Sequence, residues 1–297
     1  MTARAWAAFA AVSVLWGIPY LFIKVAVEDG ISPAFLSWAR LVLGAAVLLA
    51  LAARAGTLGS LTGRWRWIAL FAVVEISLPF PLIAAGEQHV SSSLAAILIA
   101  AVPLFVAVLA LRFDPDERVG GWRLVGLVVG LGGVVALVGV DVAGRRDELL
   151  GALAILLAAF GYACGPLILK SKLAELDPRA TMGASLATAA LVLTLPAALT
   201  APGETPSGDA LISIGVLGLF CTAAAFVLWS VLITEAGPGR AAVITYVAPL
   251  VAVSLGVAVL DESVGIGAAV GLVLILSGSW LATGGRPRAE PAPETPA

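Results

Sequence analysis

Charged residues are scarce in this chain of 297 residues, and this scarcity excludes several classes of protein. Only 12% of the residues are charged and 61% are hydrophobic, whereas soluble domains carry about 25% charged residues. The chain therefore has too few polar side chains to cover a soluble globular domain, and too few to remain disordered in water. The net charge of -2 offers no basic surface for nucleic acid, so we expect no nucleic-acid partner.

Cysteine and histidine are also rare. The two cysteines, Cys164 and Cys221, fall inside apolar runs, where a buried free thiol is the ordinary state, so a disulfide scaffold is excluded. The single histidine, His89, cannot form a histidine-rich metal site, and the chain has no nucleotide-binding or zinc-protease motif. We therefore expect no metal, no cofactor and no enzymatic activity.

Long apolar runs make up most of the sequence. Each run is close to the length of about 20 residues that a helix needs to cross a bilayer, and backbone inside lipid must satisfy its own hydrogen bonds as a helix. We predict an all-α integral membrane protein with ten transmembrane helices in the lipid bilayer. The predicted spans are residues 6–26, 33–53, 66–86, 92–112, 122–140, 149–169, 181–200, 210–234, 241–260 and 265–283.

Lysine and arginine residues are distributed unevenly over the loops of this topology. With the N-terminus in the cytoplasm, the outer loops contain only Arg145 and Arg146. The inner segments contain thirteen basic residues: Arg4, Arg54, Arg64, Arg66, Arg112, Arg118, Arg123, Lys170, Lys172, Arg179, Arg240, Arg286 and Arg288. Because cytoplasmic loops carry the excess of positive charge, we expect a multi-pass protein of the cell (inner) membrane with both termini in the cytoplasm.

The second half of the sequence repeats the first. Residues 16–24 (WGIPYLFIK) match residues 162–170 (YACGPLILK), which lie 146 positions later. Pro103 matches Pro249 at the same offset. Several blocks in the same order at a near-constant offset indicate an internal duplication.

The number of spans in each repeat determines how the halves are related. Because five is odd, the second copy must enter the membrane from the opposite side, so we predict two inverted five-helix repeats. Such repeats are typical of secondary transporters, in which the substrate binds near the middle of the membrane between them. We assign the first repeat to residues 1–140, the second to 141–284 and a disordered cytoplasmic tail to 285–297.

Several motifs resemble those of EamA-type members of the drug/metabolite transporter superfamily, over about residues 6–283. The resembling features are the ten spans, the Trp-Gly-x-Pro-x(4)-Lys pattern at residues 16–24, the Ser91–Ala96 segment with Pro103, and the Ala241–Pro249 block that ends near Glu262. The second half departs from the pattern at Tyr162-Ala163, where Trp-Gly or Trp-Ala is more usual. The resemblance implies two EamA repeats and, commonly, export of metabolites, amino acids or drugs.

These observations predict a secondary active transporter that exports a small-molecule substrate by alternating access. The chain has no ATPase motif, so a gradient or an exchange must supply the energy. A facilitative or exchange carrier without proton coupling is the alternative. A channel would normally need a symmetric polar ring that one copy does not supply, and a single interior acid is a poor catalytic set for a membrane enzyme.

Two charged residues lie inside the predicted spans. Glu75 is the only acid that the sequence places well inside a span, and Arg40 lies inside the span before it. An isolated charge in hydrocarbon is costly, so each must face a partner, a cavity or the other. Two roles stay open for Glu75: it forms an ion pair with Arg40, or it lines a central cavity and binds a cationic group or a proton.

Prolines and aromatic residues define the predicted binding site. Each proline inside a span removes a backbone donor and frees a carbonyl, and such breaks at matching positions of two halves indicate a binding site. Aromatic rings near the breaks offer apolar contact with a polar tip. The predicted substrate-binding residues are Trp16, Tyr20, Glu75, Pro103, Tyr162, Trp229, Tyr246 and Pro249.

Small residues are concentrated in the fifth and tenth spans. The glycines concerned are Gly126, Gly130, Gly133, Gly267, Gly271 and Gly278. Small residues one turn apart let helices approach closely. We expect packing within the chain here, with a homodimer as a second option.

Overall fold

Ten apolar helices follow one another along the chain. The computed structural model describes residues 1–113, 121–142 and 144–283, and these ranges contain no strand. Within them, nine helices are long and apolar enough to cross a membrane, and a tenth is apolar with 17 residues. The helices are α1 Ala3–Glu28, α2 Pro33–Arg54, α3 Trp65–Glu87, α4 Ser92–Ala110, α5 Trp122–Val140, α6 Arg146–Leu173, α7 Pro178–Leu199, α8 Gly208–Ala236, α9 Gly239–Val259 and α10 Ile266–Ala282. The predicted all-α membrane fold is confirmed. The predicted tail at 285–297 lies outside the described residues.

Polar caps place several helix starts earlier than hydropathy predicts. Helix α7 begins at Pro178 rather than at residue 181, because the Asp177 carboxylate accepts from the N–H of Ala180 at 3.2 Å. Hydrogen bonds from Arg179 also lower the pKa of the Asp177 carboxyl, so this cap stays ionised at neutral pH. A capped first turn is polar, and a hydropathy window therefore misses it.

Helices α3 and α8 contain π-helical segments at repeat-related positions. The segments are Ala72–Ser77 and Val216–Ala224. In each, a hydroxyl donates to the carbonyl five residues earlier: Ser77 Oγ to Ala72 O at 3.1 Å, and Thr222 Oγ1 to Leu217 O at 2.7 Å. The two halves thus share a backbone irregularity as well as sequence motifs, and π-helical segments are frequent at functional sites.

Helix packing follows a two-fold relation between the halves. Helix α2 packs on α7, and α5 packs on α10, so two helices meet their own repeat equivalents. Helix α1 packs against α8 and α9, as α6 packs against α3 and α4. A two-fold axis that exchanges the halves produces this pattern, because every contact between halves must then occur twice. With five helices in each half, the fold consists of two inverted repeats.

Loop contacts agree with this topology. Among the described residues, the polar contacts between loops join only segments that ten spans put on the same side of the membrane. On one side, Arg4 pairs with Glu235 and Arg64 pairs with Glu175; we call it the Glu235 side. On the other, Asp29 accepts from the N–H of Ser207 at 3.2 Å; we call it the Asp29 side.

Gly126 and Gly133 of α5 face Gly271 and Gly278 of α10 within the chain. A Cβ built on Gly278 would lie 2.5 Å from the Cα of Gly130 and 2.6 Å from the carbonyl oxygen of Gly126. These helices therefore touch backbone to backbone. These glycines are therefore used for packing within the chain, as the sequence pattern predicts.

We expect Gly278→Ala to destabilise the protein by about 1–3 kcal/mol, the usual cost of forcing extra atoms into a packed interface. Gly132→Ala is the matched control, because a Cβ there meets open space. This substitution also replaces a glycine, which weakens a helix, with a stronger helix former. Thermal unfolding in detergent should give a lower Tm for the first variant and an equal or higher Tm for the second. Equal Tm values would contradict the close approach.

Candidate functional site

Glu75 lies in the π-helical segment of α3 and faces α6. A Cβ on Gly165 of α6 would overlap the Glu75 Oε2, so only glycine leaves room for this carboxyl. The Oε2 atom is buried without a hydrogen-bond partner among the described residues, although the side chain as a whole is partly exposed. A carboxyl with an unpaired buried oxygen inside a membrane helix is costly, which is typical of a functional group.

Arg40 has partners of its own on α3 and α8. Its Nε donates to Thr222 Oγ1 at 2.9 Å, and its Cζ lies 4.1 Å from the centre of the Phe80 ring. The ion pairs found among the described residues do not join Arg40 to Glu75. The structure thus holds the Arg40 charge by a hydroxyl and a cation–π contact, and not by the ion pair left open above.

Two edge-on aromatic pairs are related by the repeat. The ring centres of Trp16 and Phe226 are 5.9 Å apart at 73°, and those of Tyr162 and Phe80 are 6.5 Å apart at 81°. Trp16 and Tyr162 are 146 positions apart, as are Phe80 and Phe226. In each half, an aromatic residue of the first helix therefore contacts a phenylalanine of the third helix of the other half.

The other predicted site residues divide between two places. The Trp229 ring lies 5.1 Å from Trp16, where α1 meets α8. A Cβ on Gly17 would lie 2.9 Å from the oxygen of Ala248, so α1 crosses α9 directly beside the buried Pro249. Tyr246, in contrast, hydrogen-bonds Thr283 at 3.0 Å and links α9 to the end of α10.

Tyr20 and Pro103 lie deeper in the helix packing. Tyr20 is partly buried and packs against two of the apolar clusters of the protein. Pro103 is buried in α4, at the start of a segment that begins at Val102. The structure therefore brings Trp16 and Trp229 together, with α9 passing the neighbouring Gly17 at Ala248. Glu75 contacts α6 at Gly165, one helical turn after Tyr162.

Glu262, which precedes α10, connects the two halves on the Asp29 side. Its Oε1 accepts from Ser92 N at 2.7 Å, and its Oε2 accepts from Ser93 N at 2.9 Å and from Ser93 Oγ at 2.6 Å. Ser91 Oγ accepts from Leu94 N at 3.1 Å. The first N–H groups of α4 are thus paired, two of them with a carboxylate at the positive end of the helix dipole. We call Glu262, Ser92 and Ser93 the Glu262 bracket.

The backbone conformation of Asp261 and the absence of a side chain at Gly256 allow the bracket to form. Asp261 has a φ of 53°, a left-handed conformation that aspartate tolerates better than most residues, and this turn ends α9. A Cβ on Gly256 would overlap both the Glu262 carboxylate and Ser93 Oγ. The sequence motifs include the Ser91–Ala96 segment and the block that ends near Glu262. They do not predict that Glu262 binds the start of α4.

Both halves of the chain match one known protein family. A family model described as "EamA-like transporter family" matches residues 4–139 and again residues 149–284. The chain belongs to the EamA-like transporter family. The resemblance inferred from the sequence motifs is therefore confirmed, and this EamA-like transporter is a multi-pass membrane protein.

Bacterial relatives of this EamA-like transporter carry transporter names. It is 24% identical to "Uncharacterized transporter YoaV" of Bacillus subtilis, covering 92% of this chain and 94% of that protein. It is 29% identical to "Uncharacterized inner membrane transporter YedA" of Escherichia coli, with 83% and 79% covered. It is 26% identical to the "Probable amino-acid metabolite efflux pump" of Escherichia coli, with 91% of each covered.

A solved crystal structure has the same fold. It superimposes with a TM-score of 0.67 at 22% identity, and the match covers 95% of this chain and 97% of that chain. At this identity the likeness concerns the fold alone. It agrees with the helix order and the two-fold packing described above.

Proposed function

We propose that this EamA-like transporter is a secondary active exporter of small metabolites that works by alternating access. The observation that carries the proposal is the carboxyl of Glu75, in a π-helical segment between the two halves, whose buried oxygen has no hydrogen-bond partner in the part of the chain that the structure describes. An acid in this position can bind a proton or a cationic substrate group without first breaking an ion pair. Arg40, the cation that the sequence offered as the partner of Glu75, instead contacts Thr222 and Phe80.

The substrate site is proposed to lie between the two aromatic pairs. Trp16, Tyr20, Tyr162 and Trp229 supply rings from α1, α6 and α8, and the buried Pro103 and Pro249 interrupt the hydrogen bonding of α4 and α9. Tyr246 is the outlying member of the set. Rings beside a carboxyl suit a small amphipathic molecule with a protonatable group. The relative named as an amino-acid metabolite efflux pump makes amino acids the first class to test.

The two-fold packing supports alternating access. Because the halves are alike and inverted, opening toward one side exchanges the roles of the two halves, so the two open states have similar contacts and similar energy. The transporter thus needs only a modest input from substrate or proton to shift between them.

We propose that the Glu235 side faces the cytoplasm. It includes the N-terminus and the loops that contain Arg54, Arg64 and Arg66, whereas the Asp29 side includes Arg145 and Arg146. The excess of basic residues on the Glu235 side supports this orientation. The Asp29 side is then the outer side, with both termini in the cytoplasm.

A counterflow assay tests the proposed class of protein. Thermal-shift screening of the purified protein against amino acids, nucleosides and cationic drugs selects a compound, and proteoliposomes loaded with it are diluted into radiolabelled compound. A carrier should accumulate label transiently and with saturation, and a pH gradient should drive net flux if a proton is coupled. Ohmic current without counterflow would identify a channel. Counterflow without any response to pH would identify an exchange carrier and contradict proton coupling.

A further inference from the structure

Glu87 is a second buried acid, and the proposed function does not use it. It is the last residue of α3 and has 0% exposed surface. Both oxygens of its carboxyl are buried without a hydrogen-bond partner among the described residues. A charged carboxylate is not stable in such surroundings, so this side chain needs either a proton or a cation.

Lys24 is the nearest cation, and its hydrogen-bond donors are already in use. An ammonium group has three protons. The Lys24 Nζ donates to the main-chain oxygens of Glu87 at 2.8 Å and Val90 at 3.1 Å, and it lies 3.3 Å from the carboxylate of Glu28. Lys24 thus stabilises the end of α3, where carbonyls attract positive charge, and leaves no proton for the Glu87 carboxyl.

The other charged groups around Glu87 are of both signs, and their polar atoms are engaged elsewhere. The charged residues within electrostatic range are Lys24 and Glu28 of α1, Arg40 of α2 and Glu262 of the α9–α10 connection, and Tyr20 of α1 faces the same region. Arg40 is held by Thr222 and Phe80. Both oxygens of Glu262 accept hydrogen bonds within the Glu262 bracket. On its own helix end, His89 is exposed.

We propose that Glu87 is a proton-binding site of the outer gate. Its carboxyl carries a proton while the Glu262 bracket joins the two halves on the Asp29 side, as it does here. When this side opens and water enters, the O–H bond of the acid breaks, the proton passes to outer water, and Lys24 leaves the end of α3 to pair with the new carboxylate. The gate presupposes the alternating access of the proposed function, and it is a different site from Glu75.

Distance measurements across the bracket test this proposal without a substrate. Gln88 and Ser263 are both exposed. Gln88 is four residues before Ser92, and Ser263 directly follows Glu262, so each lies close in sequence to one of the two segments that the bracket joins. Spin labels at Gln88→Cys and Ser263→Cys, in a Cys164→Ala and Cys221→Ala background in liposomes, report their separation by double electron–electron resonance. Between pH 5 and pH 9, the population at the longer distance, divided by the population at the shorter distance, should rise with pH. The rise should be up to about tenfold per pH unit, the slope for release of one proton.

Variants separate Glu87 from other acids. Glu87→Gln should hold the shorter distance at every pH, and Glu204→Gln, which removes an exposed acid of the α7–α8 loop, should keep the pH response. Glu87→Asp retains a titratable group and should move the midpoint, which keeps the test decisive if the glutamine variant does not fold. A distance that does not change with pH, or a response that persists unshifted in the Glu87 variants, would overturn the proposal.

The outcome is independent of the test of the proposed function. A pH-dependent distance that is lost in Glu87→Gln supports the gate even if counterflow of the selected compound fails. Counterflow with a pH-independent distance supports the carrier and overturns the role of Glu87. A response to sodium instead of pH would assign the site to a metal cation and also overturn the proposal.

Discussion

Glu75→Gln is expected to abolish gradient-driven transport while leaving the protein folded. The amide keeps the shape of the carboxyl but cannot exchange a proton or neutralise a cation. Net flux in proteoliposomes should fall by at least about tenfold, the effect of losing about 1.4 kcal/mol of coupling. Counterflow of the same compound should persist if Glu75 binds only the proton, and should fail if it binds the substrate.

Stability measurements distinguish this role from a structural one. Breaking a buried ion pair costs about 3–5 kcal/mol because the remaining charge is uncompensated. Arg40 keeps Thr222 and Phe80 as partners, so the Tm of Glu75→Gln should stay close to that of the wild type. The control is Glu204→Gln on the surface. The functional role of Glu75 would be contradicted if the Tm fell strongly and recovered when Arg40 was also made neutral, with full transport in the double variant.

Glu262→Ala should destabilise the protein by about 3 kcal/mol or more, because several hydrogen bonds to a charged group are lost at about 1.5–3 kcal/mol each. It also leaves the N–H groups of Ser92 and Ser93 without a partner at a buried helix start. Glu148→Ala is the matched control. It removes a carboxylate whose ion pair with Arg145 lies within one helical turn at the surface, and such pairs contribute about 0–1 kcal/mol.

Thermal unfolding and the spin-label distance across the bracket measure the two effects of Glu262→Ala. The Tm should fall clearly in this variant and little in Glu148→Ala. The longer distance between positions 88 and 263 should become the main population at every pH, because the contact that closes the Asp29 side is gone. An unchanged Tm would show that the bracket contributes nothing to the fold.

Hydropathy and charge predict the spans because each helix must bury an apolar run of bilayer length. They do not predict the π-helical segments, in which the hydroxyls of Ser77 and Thr222 donate to carbonyls five residues earlier. The offset between repeats predicts which helices correspond. It does not predict which side chains of the two halves touch.

Individual site residues show the same limit. Glu75 stands out because it interrupts an apolar run. Glu87 does not, because it lies beside Gln88 and His89 at the end of its run, although the fold buries it completely. Arg40 and Glu75 were open as a pair because both are charges inside spans, but a position within a span does not say which face of the helix carries the side chain. Glu262 belongs to a loop, and only the turn at Asp261 directs it toward α4.

The edge-on aromatic pairs are symmetric, but the charge beside them is not. Arg40 stacks on Phe80 in one half, and the position equivalent to Arg40 is the buried Leu186 in the other. The residues that align with Glu75 at the two offsets are Phe220 and Cys221, neither of which is charged at neutral pH. A carrier with this fold has a symmetric helix arrangement but an asymmetric distribution of charged side chains. Its two open states would therefore share their helix contacts and differ in the charge that they present to a substrate, because Arg40 and Glu75 both belong to the first half.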